Sequence, residues 1–311
     1  MNRHGVRGLL AFSLLLVLTG NFCPAAESGD FTRRDDVIYG RKDGMALTMD
    51  VITPKKANGA AVVWVISGGF FSAHEAINPV FVTELLKRGY TVFAVVHGSQ
   101  PRYNIQDAVA DLNRSVRYIR YHAKEFKIDP QRIGITGGSA GGHLSLMMGT
   151  AGTAGDPKAP DPVERTSSRV QAVACFFPPT DFLNYGKEGF VSLGDGPLAD
   201  FKAPFDFREL DPKTRSYVLI TDRARRLEIG RQISPITHVT KDSAPTLIIH
   251  GDADTLVPIQ QAQRFLARLK ENKVPAELVV KHGYGHGWMT ILLDMPTIAD
   301  WFDKYLAAPG H

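Results

Sequence analysis

Cysteine is scarce in this 311-residue sequence, which contains only Cys23 and Cys175. If the N-terminal segment that includes Cys23 is removed, one cysteine remains, and a single cysteine cannot form an intramolecular disulfide. We therefore expect no disulfide framework. Because Cys175 lies inside the apolar run 170–177, we expect it to be a buried core thiol.

The sequence also lacks clustered positive charge, internal repeats and low-complexity segments. Its 36 lysines and arginines against 32 aspartates and glutamates give a formal net charge of +4, and no basic run or ladder of basic and aromatic residues is present. These features argue against a nucleic-acid partner. A hydrophobic content of 44% and a charged content of 22% are ordinary for a globular protein.

Long hydrophobic runs are absent beyond the N-terminal segment. Residues 1–26 combine Arg3 and Arg7 with an apolar stretch at 9–18 and small residues at 25–26, which is typical of a signal peptide. The stretch is too short for a comfortable transmembrane helix. We expect export to a periplasm or the cell exterior, no stable membrane insertion, and one domain over 27–311. A lipid-modified Cys23 is a less favoured alternative, because residues 20–22 do not match the pattern that precedes such a cysteine.

Strands alternate with helices along the rest of the chain, which predicts an α/β fold with a mostly parallel twisted sheet and helices on both faces. Apolar residues at positions 105, 109, 112, 116 and 119 predict one amphipathic helix that packs on the sheet. Residues 37–40 and 46–51 predict a leading antiparallel pair. The long segment 181–243 is rich in glycine, proline and aromatic residues, and we expect it to be a cap-like insertion over the edge of the sheet where such folds bind ligands.

Residues 133–144 are the most informative stretch, because they predict a buried strand, a sharp turn with one serine and the start of a helix. The small residues around Ser139 allow the backbone to turn tightly and expose the hydroxyl. The pentapeptide G-x-S-x-G is common by chance, so its context matters: apolar Ile133 and Ile135 precede it, and Leu144 and Met148 follow at helical spacing. This context favours Ser139 as a nucleophile over a plain glycine-rich turn.

A serine nucleophile needs an imidazole to take its proton and a carboxylate to orient that imidazole. The predicted strand 246–249 is followed by two aspartates, Asp252 and Asp254. We favour Asp254 as the acid, because Asp252 beside Gly251 is suited to bond its own backbone in a turn. Their spacing of two residues keeps Asp252 open as an alternative.

Two histidines compete for the role of base in the loop after the predicted strand 277–280. His286 lies between glycines ahead of Trp288, whereas His282 follows the end of the strand directly. We favour His286 because it has the conformational freedom to reach the serine. The glycines around both histidines argue against a helical metal-binding pair, so no metal is expected.

Together, Gly137–Leu144, the loop 250–258 and the run 285–288 resemble the α/β-hydrolase fold, in which serine, acid and histidine occur in this order. More narrowly, they resemble its secreted branch of feruloyl and acetylxylan esterases, which is related to the catalytic domain of prolyl oligopeptidase. The resemblance extends from about residue 36 to residue 306. It implies a serine esterase, or carboxylesterase, for small-molecule or carbohydrate esters that uses a catalytic triad and no cofactor.

The resemblance also implies an oxyanion hole, and here the sequence departs from the family pattern. Relatives carry His-Gly-Gly-Gly after the third strand, whereas this chain has Ser67-Gly68-Gly69-Phe70. Backbone N–H groups are the donors in such a site, so Gly69, Phe70 and Ala140 are still predicted to supply them. The ring of Phe70 either narrows the mouth of the site or packs beneath the turn.

Three functions follow from these residues. The favoured one is hydrolysis of short-acyl or carbohydrate-linked carboxylic esters through an acyl-enzyme on Ser139. A prolyl oligopeptidase-like peptidase is an alternative, although the chain has no room for the propeller that usually accompanies that activity. A catalytically silent hydrolase fold that serves as a binding protein is a second alternative. His74 and His97 each follow a predicted strand or its loop, and we expect both to be structural; His97, at the end of a predicted strand, is the better candidate of the two for a contact with substrate or with the site, and it is not placed among the catalytic residues. The sequence does not indicate an oligomeric state.

Overall fold

The computed structural model describes residues 30–308, so the predicted signal peptide at 1–26 lies outside the described residues. Ten strands are present among these residues: β1 Phe31–Lys42, β2 Met45–Pro54, β3 Ala61–Ile66, β4 Thr91–Val96, β5 Ile133–Gly138, β6 Ala172–Phe176, β7 Arg208–Leu210, β8 Tyr217–Leu219, β9 Thr246–Gly251 and β10 Ala276–Lys281. Seven α-helices accompany them: α1 Thr83–Lys87, α2 Ile105–Tyr121, α3 Ala123–Phe126, α4 Ala140–Ala151, α5 Arg223–Gln232, α6 Gln260–Glu271 and α7 Met295–Tyr305. None of the helices between residues 30 and 308 has the length and apolar character needed to cross a bilayer.

Eight strands form one sheet in the order β1-β2-β4-β3-β5-β6-β9-β10. The first two strands pair antiparallel with each other, β2 pairs antiparallel with β4, and the remaining neighbours are parallel. The central strands are short runs of apolar and β-branched residues that are buried on both faces, as expected for parallel strands covered by helices. The predicted mixed sheet with a leading antiparallel pair is therefore confirmed.

Helices cover both faces of this sheet. On one face α2, α4 and α6 pack on a continuous core, to which α2 contributes Ile105, Leu112, Val116 and Ile119 at 0% exposure. On the other face α1 and α7 meet around Leu85 of α1. The apolar stripe predicted for α2 is the face that it buries. Cys175 in β6 is fully buried, as predicted.

The order of the strands creates a crevice at one edge of the sheet. Strand β3 connects to β4 on one side, whereas β5 lies on its other side and connects onward to β6. The loops after β3 and β5 therefore diverge, and such a switch point is where open α/β sheets bind their ligands. Because β9 and β10 run parallel to β5 and β6, all four loops that carry the predicted site residues lie at this edge.

Candidate active site

Ser139 lies in the sharp turn between β5 and α4. Its backbone angles are φ 54° and ψ −119°, a conformation that non-glycine residues rarely adopt and that is typical of strained functional turns. The turn is held by a hydrogen bond from the Ser139 N–H to the Phe176 carbonyl at 3.0 Å. Ser139 directly precedes α4, whose first N–H groups have no carbonyl partner within the helix.

Close contacts between backbones explain the glycines around Ser139. A Cβ at Gly137 would lie 2.6 Å from the backbone of Gly141, and a Cβ at Gly141 would lie 2.8 Å from the Val65 carbonyl oxygen. Both distances are too short for any side chain. Helix α4 can start so close to β5 and β3 only because these positions lack a Cβ, which gives the G-x-S-x-G pattern a steric cause.

Ser139, His286 and Asp254 form a continuous chain of hydrogen bonds. The Ser139 Oγ lies 2.9 Å from His286 Nε2, and His286 Nδ1 lies 2.7 Å from Asp254 Oδ2. The carboxylate accepts, so Nδ1 carries a hydrogen and Nε2 is free to accept the serine proton. The Asp254 side chain is fully buried and that of His286 is 21% exposed. This is the arrangement that nucleophilic acyl transfer requires.

Asp254 is stabilised as a carboxylate by more than His286. Its Oδ1 accepts the N–H groups of Leu256 and Val257, both at 2.9 Å, and its Oδ2 lies 3.3 Å from His250 Nε2. Burial alone raises the pKa of Asp254, but hydrogen bonds from His250 and His286 and from the Val257 backbone lower it to about 2. The carboxyl is therefore ionised throughout the neutral range. The sequence argument did not find the contact with His250, whose only signal was its place two residues before the first aspartate.

The two residues that competed with Asp254 and His286 are paired with each other. Asp252 Oδ2 lies 2.7 Å from His282 Nδ1, and Asp252 Oδ1 accepts the Gly283 N–H at 2.7 Å. The His282 side chain is 85% exposed. Asp252 thus bonds across to the neighbouring loop as well as to its own backbone N–H, whereas Asp254 accepts two N–H groups further along its own loop.

The turn after β3 carries the residues predicted as oxyanion donors. Gly68 and Phe71 exchange two backbone hydrogen bonds of 3.0 and 2.9 Å, and the residues between them have positive φ angles, 55° at Gly69 and 63° at Phe70. Among residues 30–308, no acceptor bonds the N–H of either Gly69 or Phe70. The Phe70 ring is 6% exposed and meets the edge of the His143 ring at 5.3 Å, so it packs beneath the turn. The neighbouring Phe71, 54% exposed, is the aromatic residue that faces solvent.

One cavity joins Ser139 to this turn. Ser139, Ala140, Gly69 and Phe70 all line it, and its volume is about 30 Å³. The rest of its wall is almost entirely apolar: Pro179, Phe182, Tyr185, Leu198, Phe201, Phe205, Leu256 and Val257. Five of these residues come from the segment 181–243, which therefore forms much of the wall opposite Ser139.

A possible metal-binding group lies outside this cavity. Within residues 30–308, Asp35, Asp50 and His74 are the only group whose ligand atoms lie within 4.8 Å of one another. The buried Asp50 already accepts two hydrogen bonds from Arg33, at 2.8 and 2.5 Å. Its carboxylate is thus neutralised by a side chain, which does not favour a cation.

Comparison with known proteins agrees with this fold. The model of the BD-FAE family matches residues 49–269. A relative from Mycobacterium tuberculosis, described as a probable carboxylic ester hydrolase and called LipM, is 29% identical over 247 residues, which are 78% of this chain and 53% of that protein. The chain spans about half the length of such curated relatives.

Solved structures share the fold of this chain. A truncated carbohydrate esterase from gut microbiota has a TM-score of 0.70 and 24% identity, covering 91% of this chain and 99% of its own. An acetyl ester-xyloside bifunctional hydrolase from Caldicellulosiruptor lactoaceticus has a TM-score of 0.64 and 24% identity, covering 87% and 93%. These likenesses confirm the α/β-hydrolase fold.

Proposed function

This chain belongs to the BD-FAE family, and we propose that it is a carboxylic ester hydrolase in which Ser139, His286 and Asp254 act as a catalytic triad. The observation that carries the proposal is the hydrogen-bonded chain from Ser139 Oγ through both nitrogens of His286 to the buried Asp254 carboxylate, at 2.9 and 2.7 Å. A merely structural role does not require a serine on a strained turn to face a half-buried imidazole. The relative described as a carboxylic ester hydrolase supports the same activity.

The proposed reaction has two steps. Ser139 Oγ attacks the ester carbonyl carbon while His286 Nε2 takes the hydroxyl proton, and His286 then returns that proton to the departing alcohol. Water, deprotonated by the same nitrogen, attacks the acyl-enzyme and releases the carboxylic acid. Asp254 stays ionised and stabilises the imidazolium in both steps. No step calls for a metal or an organic cofactor.

We propose that the oxyanion of each tetrahedral intermediate binds the backbone N–H groups of Gly69, Phe70 and Ala140. All three residues share a cavity with Ser139. Each such donor typically contributes about 3 kcal/mol to the stabilisation of the transition state. The serine and phenylalanine that replace family residues in this turn leave the backbone donors in place.

The cavity favours a short acyl group. Its volume is only about 30 Å³, and large side chains such as Phe201 and Phe205 line it, so a small acyl group fits better than a long chain. Its apolar wall suits a methyl better than a charged or hydroxylated group. We therefore propose acetyl esters as the preferred substrates, carried by a carbohydrate or a small alcohol as the sequence resemblance implies. The segment 181–243 acts as the cap that limits this space.

Hydrolysis of p-nitrophenyl esters from acetate to octanoate tests the proposal, with acetylated xylo-oligosaccharides as the carbohydrate substrate. We expect activity that is highest on acetate and falls with chain length. Cleavage of a proline-linked chromogenic peptide without ester hydrolysis would favour the peptidase alternative. Failure of a fluorophosphonate probe to label Ser139 would favour a silent binding fold.

We also propose that the protein is exported after removal of residues 1–26. Cell fractionation and N-terminal sequencing of the mature protein test this point. A new N-terminus near residue 26 in the periplasmic or extracellular fraction is expected, and an intact N-terminus in the cytoplasmic fraction would contradict it.

A further inference from the structure

The turn that follows β3 needs external support to keep its shape. It places Gly69 and Phe70 in succession at positive φ, and a left-handed conformation costs a residue with a side chain about 1–2 kcal/mol. The turn itself contains only the two hydrogen bonds between Gly68 and Phe71. What positions its N–H groups must therefore come from neighbouring segments.

Ser67, the residue just before this turn, is bonded to a histidine on the next loop. Its Oγ lies 2.9 Å from His97 Nε2, and His97, which directly follows β4, is only 3% exposed. Strands β3 and β4 are parallel neighbours with Ile66 opposite Val96. The hydrogen bond thus joins the first residues beyond two paired strand ends, where a small movement of either loop would break it.

The other contacts of His97 determine which partner donates. His97 Nδ1 lies 2.8 Å from the Gly98 carbonyl oxygen, so Nδ1 carries the hydrogen and donates it to that carbonyl. The other ring nitrogen, Nε2, therefore accepts a hydrogen bond from the Ser67 hydroxyl. The Gly98 N–H in turn bonds Asp111 Oδ2 at 2.9 Å, and Asp111 is paired with Lys42 at 3.2 Å. Burial lowers the pKa of His97 to about 4, which keeps the ring neutral and Nε2 free to accept.

Further hydrogen bonds connect the same two loops. The Ser72 Oγ accepts the His97 N–H at 3.1 Å and donates to the Ile66 carbonyl at 2.5 Å. The Ser72 N–H bonds Ser99 Oγ at 3.0 Å, and the Gln100 N–H bonds the Phe70 carbonyl at 3.2 Å. The turn is therefore attached on both sides to the loop after β4, and Ser67 supplies the bond from the side that precedes the turn.

We propose that Ser67 and His97 are positioning residues that hold the oxyanion turn in its active shape. In the family pattern the position of Ser67 is a histidine, and here an imidazole reaches the turn from the end of the neighbouring strand. The inference rests on the proposed function, since it assigns these residues to the donors of that same site.

This role predicts a separation between catalysis and binding. The donors bind the oxyanion, which exists only in the transition state and tetrahedral intermediate, so a loosened turn lowers kcat and leaves KM nearly unchanged. Complete loss of one oxyanion donor lowers kcat by about 10²–10³-fold. Because the other loop contacts remain, we expect Ser67→Ala to lower kcat by about tenfold.

The test compares Ser67→Ala with Ser67→Thr, which retains the hydroxyl, and with Ser115→Ala. Ser115 is a matched control, because it is fully buried and its Oγ donates one hydrogen bond, to Leu112, within α2. Of the three variants, we expect only Ser67→Ala to lower kcat on p-nitrophenyl acetate, while its KM stays within about twofold of the unaltered protein. Ser67→Thr should keep most of the kcat of the unaltered protein. A trifluoromethyl ketone, which forms a tetrahedral oxyanion on the serine, should bind Ser67→Ala more weakly by the same factor as kcat.

A readout that does not need turnover separates this inference from the proposed function. Hydrogen exchange of the peptide that covers residues 67–72 should be faster in Ser67→Ala than in the unaltered protein and in Ser115→Ala. An active Ser67→Ala with unchanged kcat, inhibitor affinity and exchange would overturn the inference and leave the ester hydrolase intact. An unaltered protein without ester hydrolysis would overturn the proposed function, while the exchange rates would still decide whether Ser67 holds the turn.

Discussion

Two serine–histidine pairs lie at the same edge of the sheet, and both have an Oγ to Nε2 distance of 2.9 Å. In the pair Ser139–His286, the second ring nitrogen bonds a buried carboxylate, whereas in the pair Ser67–His97 it bonds a peptide carbonyl. The distance between serine and histidine therefore does not distinguish a proposed nucleophile from a structural contact. The partner of the other nitrogen does, because a carboxylate stabilises the imidazolium that forms when the serine loses its proton far better than a neutral peptide carbonyl does.

The exposure of the His286 and His97 rings supports the same distinction between a proposed catalytic pair and a structural pair. His286 is partly exposed beside the cavity of Ser139, so it can exchange protons with substrate and water. His97 is enclosed and burial lowers its pKa to about 4, so its ring stays neutral and does not take up a second proton near neutral pH. The pair Ser139–His286 is thus suited to proton transfer, and the pair Ser67–His97 is suited to holding a loop in place.

The largest expected effect separates the two serines. Ser139→Ala should lower kcat on p-nitrophenyl acetate by about 10⁵-fold or more, because it removes the proposed nucleophile, while Ser67→Ala should lower kcat only about tenfold. The melting temperature of Ser139→Ala should stay near that of the unaltered protein. Hydrolysis at a normal rate by Ser139→Ala would contradict the assignment.

The second prediction concerns the carboxylate that distinguishes the pairs. Asp254→Asn should lower kcat by about 10⁴-fold, because an amide cannot stabilise the imidazolium and favours the wrong tautomer of His286. Asp252→Asn is the matched control, since it alters an aspartate with the same 2.7 Å bond to a histidine at the exposed end of the same loops. Its rate should stay within about twofold of the unaltered protein. Equal losses in both variants would show that the buried pair has no special role.

The third prediction uses pH to sharpen the comparison. Unfolded His97 takes up a proton near its ordinary pKa of 6.5, but folded His97 does so only near 4, so the unfolded state binds more protons between these values. Its contribution to the free energy of unfolding is present above pH 6.5 and falls by about 3 kcal/mol as pH drops to 4. Burial also lowers the pKa of His143 to about 4, so His97→Gln should remove about half of the combined decline.

Urea unfolding at several pH values measures this decline. A glutamine keeps an oxygen that can accept from Ser67 but has no group that titrates in this range. The His97→Gln variant should therefore show a shallower dependence on pH than the unaltered protein. An identical slope in both proteins would mean that His97 is not the neutral, enclosed ring described here.

The smallest expected effect concerns the shape of the cavity beside Ser139 rather than proton transfer. The Phe201 ring covers the oxyanion turn so closely that a Cβ at Gly69 would lie 2.7 Å from it. Phe201→Ala should enlarge the cavity and so favour the larger substrate. The kcat/KM for butyrate divided by that for acetate should rise by about tenfold, which is typical when a pocket changes by about one methylene group. Phe81→Ala alters a 42% exposed ring outside the cavity and should leave the ratio unchanged. A ratio that does not move in Phe201→Ala would place the acyl group elsewhere.

The sequence was sufficient for the fold and for the groups that we propose as catalytic. Alternating strands and helices predicted the sheet, and the order of the motifs brought Ser139, Asp254 and His286 to one edge. The choice between Asp252 and Asp254 stayed open because both follow β9 on the same loop. Only the depth of each side chain separates them, since Asp254 is enclosed and Asp252 reaches the exposed His282.

Contacts between neighbouring loops could not be predicted in the same way. The bond between Ser67 and His97 depends on the register of β3 against β4, which local sequence patterns do not determine. His97 was recognised as a residue at a strand end, but its partner was not. The direction of the Phe70 ring was likewise undetermined, because it depends on the positive φ of that residue and on the nearby ring of His143.

The order of the site residues along the chain also determines the order in which the ribosome synthesises them. The ribosome makes the turn after β3 first, Ser139 next, Asp254 later and His286 last, and Ser139 and His286 are 147 residues apart. At ordinary translation speeds this gap lasts roughly 7–30 s. During that interval Ser139 has no imidazole beside it, so the proposed ester hydrolysis cannot begin until His286 has been made and β10 lies beside β9.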